Sequence, residues 1–313
     1  MDVFAGIAGH DRVLRLLGTQ LRTGRLSHAY LFTGEPGLGK ATVARRFATG
    51  LLPEVALSKH PDYWEDDRIR SISIDEVRLL PDKQPEFHAE SLQAFLALKP
   101  ALGSRRVALI ANVGRLKDEV QGILLKTLEE PHPGRVVILT SPNTSPFVVL
   151  PTVVSRCQRV AFQQVPLAEV ERMLVEHGVS TDAAAELAVL SRGRPGWALQ
   201  TAADPNVVRR HRRWTQEFER VLAAPADASL QVAAELDADN FAWRSGDRSS
   251  EEPVVSAVGS WQLHIRERML REQRPQRWAR MLELSFDTLG YLEQNVSPRL
   301  ALECFLLECR RLS

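Results

Sequence analysis

At 313 residues, 44% of them hydrophobic and 25% charged, the chain exceeds one ordinary core, so two or three domains are expected. A formal net charge of +1 excludes bulk attraction to nucleic acid, leaving only local patches. No apolar run approaches a membrane span, Met1 is not followed by a basic-then-apolar leader, and Cys157, Cys304 and Cys309 make neither a zinc knuckle nor a disulfide framework, so a reducing cytosol is the expected setting.

In chain order, residues 4–26 read as an amphipathic helix, with Val13, Leu14, Leu16, Leu17 and Leu21 on its apolar face and Arg12, Arg15 and Arg22 between them. A turn over residues 24–27 leads into a short apolar strand, residues 29–32. Gly34, Gly37, Gly39 and Lys40 then follow in the spacing G-x-x-x-x-G-K, before a helical pattern over residues 41–52 that Pro53 ends. Strand, glycine loop and helix are the setting of a phosphate-binding loop. Glycines let successive N–H groups curl round an anion, the helix N-terminus adds partial positive charge, and the lysine reaches the outer phosphates. The next position should carry a hydroxyl to ligate magnesium, and here it is Ala41. Thr42 follows one residue later, about 100° round the helix.

Residues 60–62, His-Pro-Asp, read as a structural turn, since no second histidine or cysteine lies at metal spacing. The acidic residues 65–67 read as irregular, residues 72–78 as strand then helix, residues 81–90 as a loop insertion and residues 91–99 as helix. Residues 106–110 form a buried parallel-type strand. In a P-loop ATPase such a strand ends in acids that hold magnesium and polarise water. Here it ends in Ala111 and Asn112. A helix over residues 120–130 and a strand over residues 136–140 follow, then a last strand over residues 159–162. The alternation argues a parallel sheet covered on both faces, with ligands at the C-terminal ends of its strands.

Residues 150–158 read LPTVVSRCQ. Together with GRLSHAYLF (24–32), the glycine loop (34–40), HPD (60–62), LLKTLEEP (124–131), GRPGWAL (193–199) and NVSPRLALE (295–303), they run in one order from end to end. In that series the chain resembles the bacterial DNA polymerase III clamp-loader family of AAA+ proteins, in its delta-prime branch. The resemblance implies an α/β P-loop (AAA+) parallel-sheet domain at 1–163, a small three-helix lid at 164–204 and an all-α collar at 205–313. It implies a place in a five-subunit ring with gamma/tau ATPase subunits and a delta subunit, loading a sliding clamp onto primed DNA in the cytoplasm, with no membrane role. It also implies that Arg156, in the motif Ser155-Arg156-Cys157, reaches into a neighbour's nucleotide site as an arginine finger. A guanidinium is always charged and suits developing phosphoryl charge in trans. The tripeptide alone favours a surface arginine on a strand edge; within the whole series of motifs Arg156 reads as the finger.

Departures from the family pattern bear on activity. Ala41 stands for threonine, Ala111 and Asn112 for acids, and Gly196 for the lid arginine that senses nucleotide, with Arg194 two residues away. Losing metal ligation and water activation each costs orders of magnitude in rate. The expectation is a non-hydrolysing, stator-like subunit that needs no cofactor, with ATP or ADP binding at the degenerate loop left open. The alternative is an active motor subunit or a stand-alone AAA+ ATPase. With no cysteine before Cys157 the family's zinc module is absent, and no metal is expected. Cys157 is expected to pack beneath the arginine, and Glu129-Glu130 to be salt-bridged at a helix end.

The second half reads as helices over residues 166–177, 181–192 and 195–203, with Gly193 as a break and Asp204-Pro205 as a linker. A helix over 207–223 carries Arg209, Arg210, Arg212 and Arg213, read as packing or interface rather than as a nucleic-acid contact. A polar loop is expected over residues 237–253, and helices over 254–271, 276–293 and 298–311. Trp261, Trp278, Leu282 and Phe286 are expected in the core.

Overall fold

A computed structural model of the chain describes residues 3–53, 55–68, 72–78, 85–204, 206–245, 252–272, 275–294 and 296–313. Residues 81–84 of the expected insertion, Pro205 of the linker, residues 246–251 of the polar loop and Asn295 of the last motif lie outside these. The chain divides into two compact units, Met1–Thr201 and Ala202–Ser313.

The first unit is built on five strands, β1 (Ala29–Thr33), β2 (Tyr63–Asp66), β3 (Arg106–Ile110), β4 (Arg135–Ser141) and β5 (Gln158–Ala161). They lie in the order β2-β3-β4-β1-β5, and every pairing is parallel. Leu31 stands opposite Leu139 on one side and Arg159 on the other. Side chains alternate between faces. Ala29, Leu31, Ala108, Ile110, Val137 and Leu139 enter one apolar layer; Tyr30, Phe32, Val107, Leu109, Val136 and Ile138 enter the other. Helices α1 (Asp11–Thr23) and α2 (Lys40–Leu51) cover the second layer. Helices α3 (Ile74–Val77), α4 (Leu92–Ala97), α5 (Asp118–Glu129) and α6 (Pro151–Arg156) cover the first. This is the doubly covered sheet that near-continuous apolar strands require.

Three local expectations are corrected. The first helix starts at Asp11, not at residue 4, because Gly6 and Gly9 adopt φ of 81° and 65°, outside the helical region. Within it Leu16 faces solvent at 40% exposure. Residues 63–66, in the stretch read as irregular, form the edge strand β2, with Trp64 and Asp66 turned inward. No strand appears in residues 72–78, which hold only the single turn of α3.

Two buried arginines secure α4 from below. Arg106 donates to the carbonyls of Phe95 (2.9 Å) and Lys99 (3.1 Å), and Arg135 to those of Leu96 (2.7 Å) and Leu98. Cations suit the carbonyl-rich C-terminus of a helix. The His-Pro-Asp turn serves the same corner. The Asp62 carboxylate accepts from the backbone N–H groups of Ala101 (2.7 Å) and Leu102 (2.8 Å) and lies 3.2 Å from Arg106.

Three helices complete this unit, α7 (Leu167–Glu176), α8 (Thr181–Ser191) and α9 (Pro195–Ala202). Arg192 and Gly193 turn the chain between the last two with φ of 52° and 75°.

The second unit is all helical, with α10 (Val207–Ala223), α11 (Ala226–Ser245), α12 (Pro253–Arg271), α13 (Gln276–Glu293) and α14 (Pro298–Leu312). Its core stacks Phe218, Trp261 and Phe305 with ring centroids 5.5–6.1 Å apart, and Trp278 and Met281 are buried beside them. Residues 237–245, expected as loop, continue α11, whose buried stripe is Ser229, Val232, Ala233, Leu236 and Asn240. Phe286, expected in the core, is 58% exposed. On α10, Arg210 pairs with Asp204 (2.6 Å), Arg213 with Glu235 (3.4 Å) and Arg220 with Glu217 (2.5 Å). Among the described residues no helix is long and apolar enough to cross a membrane.

Candidate nucleotide-binding loop and finger arginine

The glycine loop runs from the end of β1 to the start of α2, at the C-terminal edge of the sheet. Two of its glycines are demanded by geometry. Gly34 has φ of 143°, and a Cβ there would lie 2.7 Å from the Phe162 carbonyl oxygen; Gly37 has φ of 82°, and a Cβ there would lie 2.7 Å from the Trp197 Cβ. Gly39 precedes α2 in the left-handed region. Lys40 is buried, and its Nζ donates to the carbonyls of Gly34 (2.5 Å) and Glu35 (2.7 Å). Burial pulls its pKa down to about 8. Ala41 offers no hydroxyl, and Thr42 is exposed on α2.

The start of α9 packs on this loop. Trp197, in the first turn of α9, donates its N–H to the Gly37 carbonyl at 3.0 Å. Gly196 lies so close that a Cβ would stand 3.0 Å from the Gly37 oxygen and 3.3 Å from the Gly39 nitrogen. A long side chain at position 196 would therefore displace the loop. Arg194 is turned aside: its Nε donates to the Ser191 carbonyl at 2.8 Å, and its guanidinium lies over the Trp197 ring. On the other flank His10 donates from Nε2 to the Leu38 carbonyl at 2.8 Å and packs edge-on against Phe162. Burial lowers the pKa of His10.

After β3, Ala111 and Asn112 occupy the places of the family's acids. The Ala111 N–H bonds the Asp66 carbonyl (2.9 Å), and the Asn112 N–H bonds Thr140 Oγ1 (2.8 Å). The neighbouring carboxylate belongs to Asp66 at the end of β2, within the acidic stretch 65–67 read as irregular. Arg115 lies 3.1 Å from its Oδ1, and Arg68 holds its Oδ2. Burial pushes the Asp66 carboxyl up, but hydrogen bonds and charge from Arg68 and Arg115 outweigh it and hold it below the usual carboxylate range. This donor set does not fit magnesium. Ala41, Ala111 and Asn112 carry no anionic oxygen, and guanidinium groups take both oxygens of Asp66.

Arg156 ends α6. Its Nη2 lies 2.5 Å from Glu129 Oε1, and its Nη1 donates to the Thr152 carbonyl at 3.0 Å. A short helix, rather than a strand edge, presents it. Ser155 is bonded to the Thr152 carbonyl at 2.9 Å. Cys157 packs against the apolar layer under α6, and burial pushes its thiol up to about 12.

Residues 9–166, just over half of the chain, match the family described as DNA polymerase III, delta subunit. The chain belongs to this clamp-loader family. Among relatives of the family, the DNA polymerase III subunit delta' of Bacillus subtilis is 28% identical over 194 residues, which cover 56% of this chain and 54% of the relative. Subunit tau of Salmonella typhimurium is 32% identical over 204 residues, covering 62% of this chain and 31% of the relative. The chain thus spans less than a third of the tau relative and about half of the delta' relative. A DNA polymerase III gamma-subunit-related protein from Thermotoga maritima has the same fold, with a TM-score of 0.53 at 19% identity over 94% of this chain and 98% of that one.

Proposed function

We propose that this clamp-loader family member is a non-hydrolysing, stator-like subunit. It assembles with gamma/tau ATPase subunits and a delta subunit into a five-membered cytoplasmic ring that loads a sliding clamp onto primed DNA. Within the ring it extends Arg156 to the nucleotide of a neighbour. The observation that carries the reading is the Asp66–Arg115 pair: where a motor needs free carboxylates to hold metal and polarise water, the carboxylate beside the end of β3 is already neutralised. The loss of a hydroxyl at Ala41 and the tight fit of Gly196 against the loop point the same way. Nucleotide at this loop, where it binds, is bound and not turned over.

The Arg156 guanidinium lies at a helix end and is about one-third exposed, so another chain's phosphate can approach it. Its fixed charge would answer the charge that develops on the transferring phosphoryl group. The test is reconstitution with gamma/tau and delta subunits. Arg156→Ala should depress the ring's ATPase by 10-fold or more, on the order expected for an arginine finger, and leave assembly intact. The isolated chain should show no turnover. Turnover near that of a motor subunit would refute the stator reading, and loss of assembly would make Arg156 structural.

A further inference from the structure

Glu129 sits at the last position of α5, with Glu130 beside it. Two carboxylates are the wrong charge for the negative end of a helix. Lys126 lies in the same last turn, and the cation on Glu129 is Arg156, whose Nη2 stands 2.5 Å from Glu129 Oε1. The same guanidinium is steered by the Thr152 carbonyl (3.0 Å) and by Ser155 Oγ (3.4 Å), so it is laid back along its own chain.

We propose that Glu129 is a positioning residue that parks Arg156 until a neighbour's triphosphate draws it away. The inference rests on the reading of Arg156 as a trans-acting finger and adds to it a competitor for the guanidinium. Both side chains are partly exposed, 34% for Arg156 and 48% for Glu129, so the pair biases the arginine without locking it. Leaving a carboxylate for a phosphate exchanges one charge-assisted contact for another and strands no buried charge. A triphosphate carries more negative charge than a diphosphate and competes better with the carboxylate. Glu129 therefore raises the concentration of ATP at which the finger engages the adjoining site.

The test uses the reconstituted ring carrying wild-type chain, Glu129→Gln, Glu129→Asp or Arg156→Ala. Glu129→Gln is expected to lower the KM for ATP roughly two- to fivefold, the range a partly exposed ion pair can supply. Its kcat stays unchanged, and inhibition by ADP tightens by a smaller factor, since a diphosphate draws the guanidinium less strongly. Glu129→Asp, which keeps the charge, returns KM toward wild type. An unchanged KM and unchanged ADP inhibition overturn the inference. A raised KM overturns it too, since the carboxylate would then be aiming the arginine outward. Matched urea midpoints for the isolated wild-type and Glu129→Gln chains exclude a folding defect. If Arg156→Ala leaves the ATPase at the wild-type level, the finger reading and this inference fall together. If Arg156→Ala collapses the ATPase while Glu129→Gln changes nothing, this inference alone falls.

Discussion

Arg115 lies 3.1 Å from the carboxylate of Asp66 and also donates to the Asp66 carbonyl at 3.0 Å, so one guanidinium ties the end of β2 to the turn that follows β3. Arg115 further reaches the Ala111 carbonyl. The contact is at once a charge neutralisation and a brace across the sheet edge where a motor would bind metal.

Removing Arg115 leaves a buried carboxylate with one cation fewer. Arg115→Gln is expected to destabilise the chain by about 2–4 kcal/mol at neutral pH. The sign with pH follows from the depressed carboxyl. Its contribution is full above the ordinary value of 3.8 and is lost as pH falls through the lower folded value. The gap between wild type and Arg115→Gln, read from urea midpoints, should therefore narrow below about pH 4. A gap that widens on acidification would contradict the pairing.

Lys40 titrates early because it is buried. Between about 8 in the folded chain and 10.5 unfolded, the unfolded state binds the extra proton, so stability rises with pH over that window. Relative to Lys40→Met, the wild-type chain should gain on the order of 2–3 kcal/mol between pH 7.5 and 10.5. Denaturant unfolding of both proteins at the two pH values measures the difference.

The contact between loop and lid is testable at Gly37. Gly37→Ala forces a Cβ into a left-handed position and onto Trp197, and should cost about 1–3 kcal/mol. Hydrogen exchange at the Trp197 amide, which bonds the Gly37 carbonyl, should accelerate with it.

The three cysteines should react unequally. Cys304 is exposed, whereas burial raises the thiols of Cys157 and Cys309. Alkylation of the native chain at pH 8, followed by mass spectrometry, should label Cys304 first, and the other two only after unfolding.

Much of this architecture was legible because its signals are local. The strands at 29–33, 106–110 and 135–141 are apolar runs buried on both faces, and the glycine spacing marked the loop between β1 and α2. β2 escaped because Tyr-Trp-Glu-Asp is short and acidic, and its strand character comes from pairing with β3 and from two arginines that neutralise Asp66. α11 escaped because its buried stripe sets only Val232 and Leu236 among serine, alanine and asparagine, which carry little hydrophobic signal; the Asn240 Nδ2 donates to Glu252 at 2.8 Å. Phe286 was misplaced because aromatic character alone does not say which face of α13 is covered. The fit of Gly196 against the loop and the grip of Arg115 on Asp66 join residues far apart in the chain, and no spacing announces them.

Arg106 and Arg135 open two neighbouring strands, and each spends its guanidinium on the last carbonyls of α4. Swinging α4 outward would bare two positive charges in a dry corner, a penalty far larger than thermal energy. The lower rim of the sheet is thus tied to α4 by charge as well as by packing.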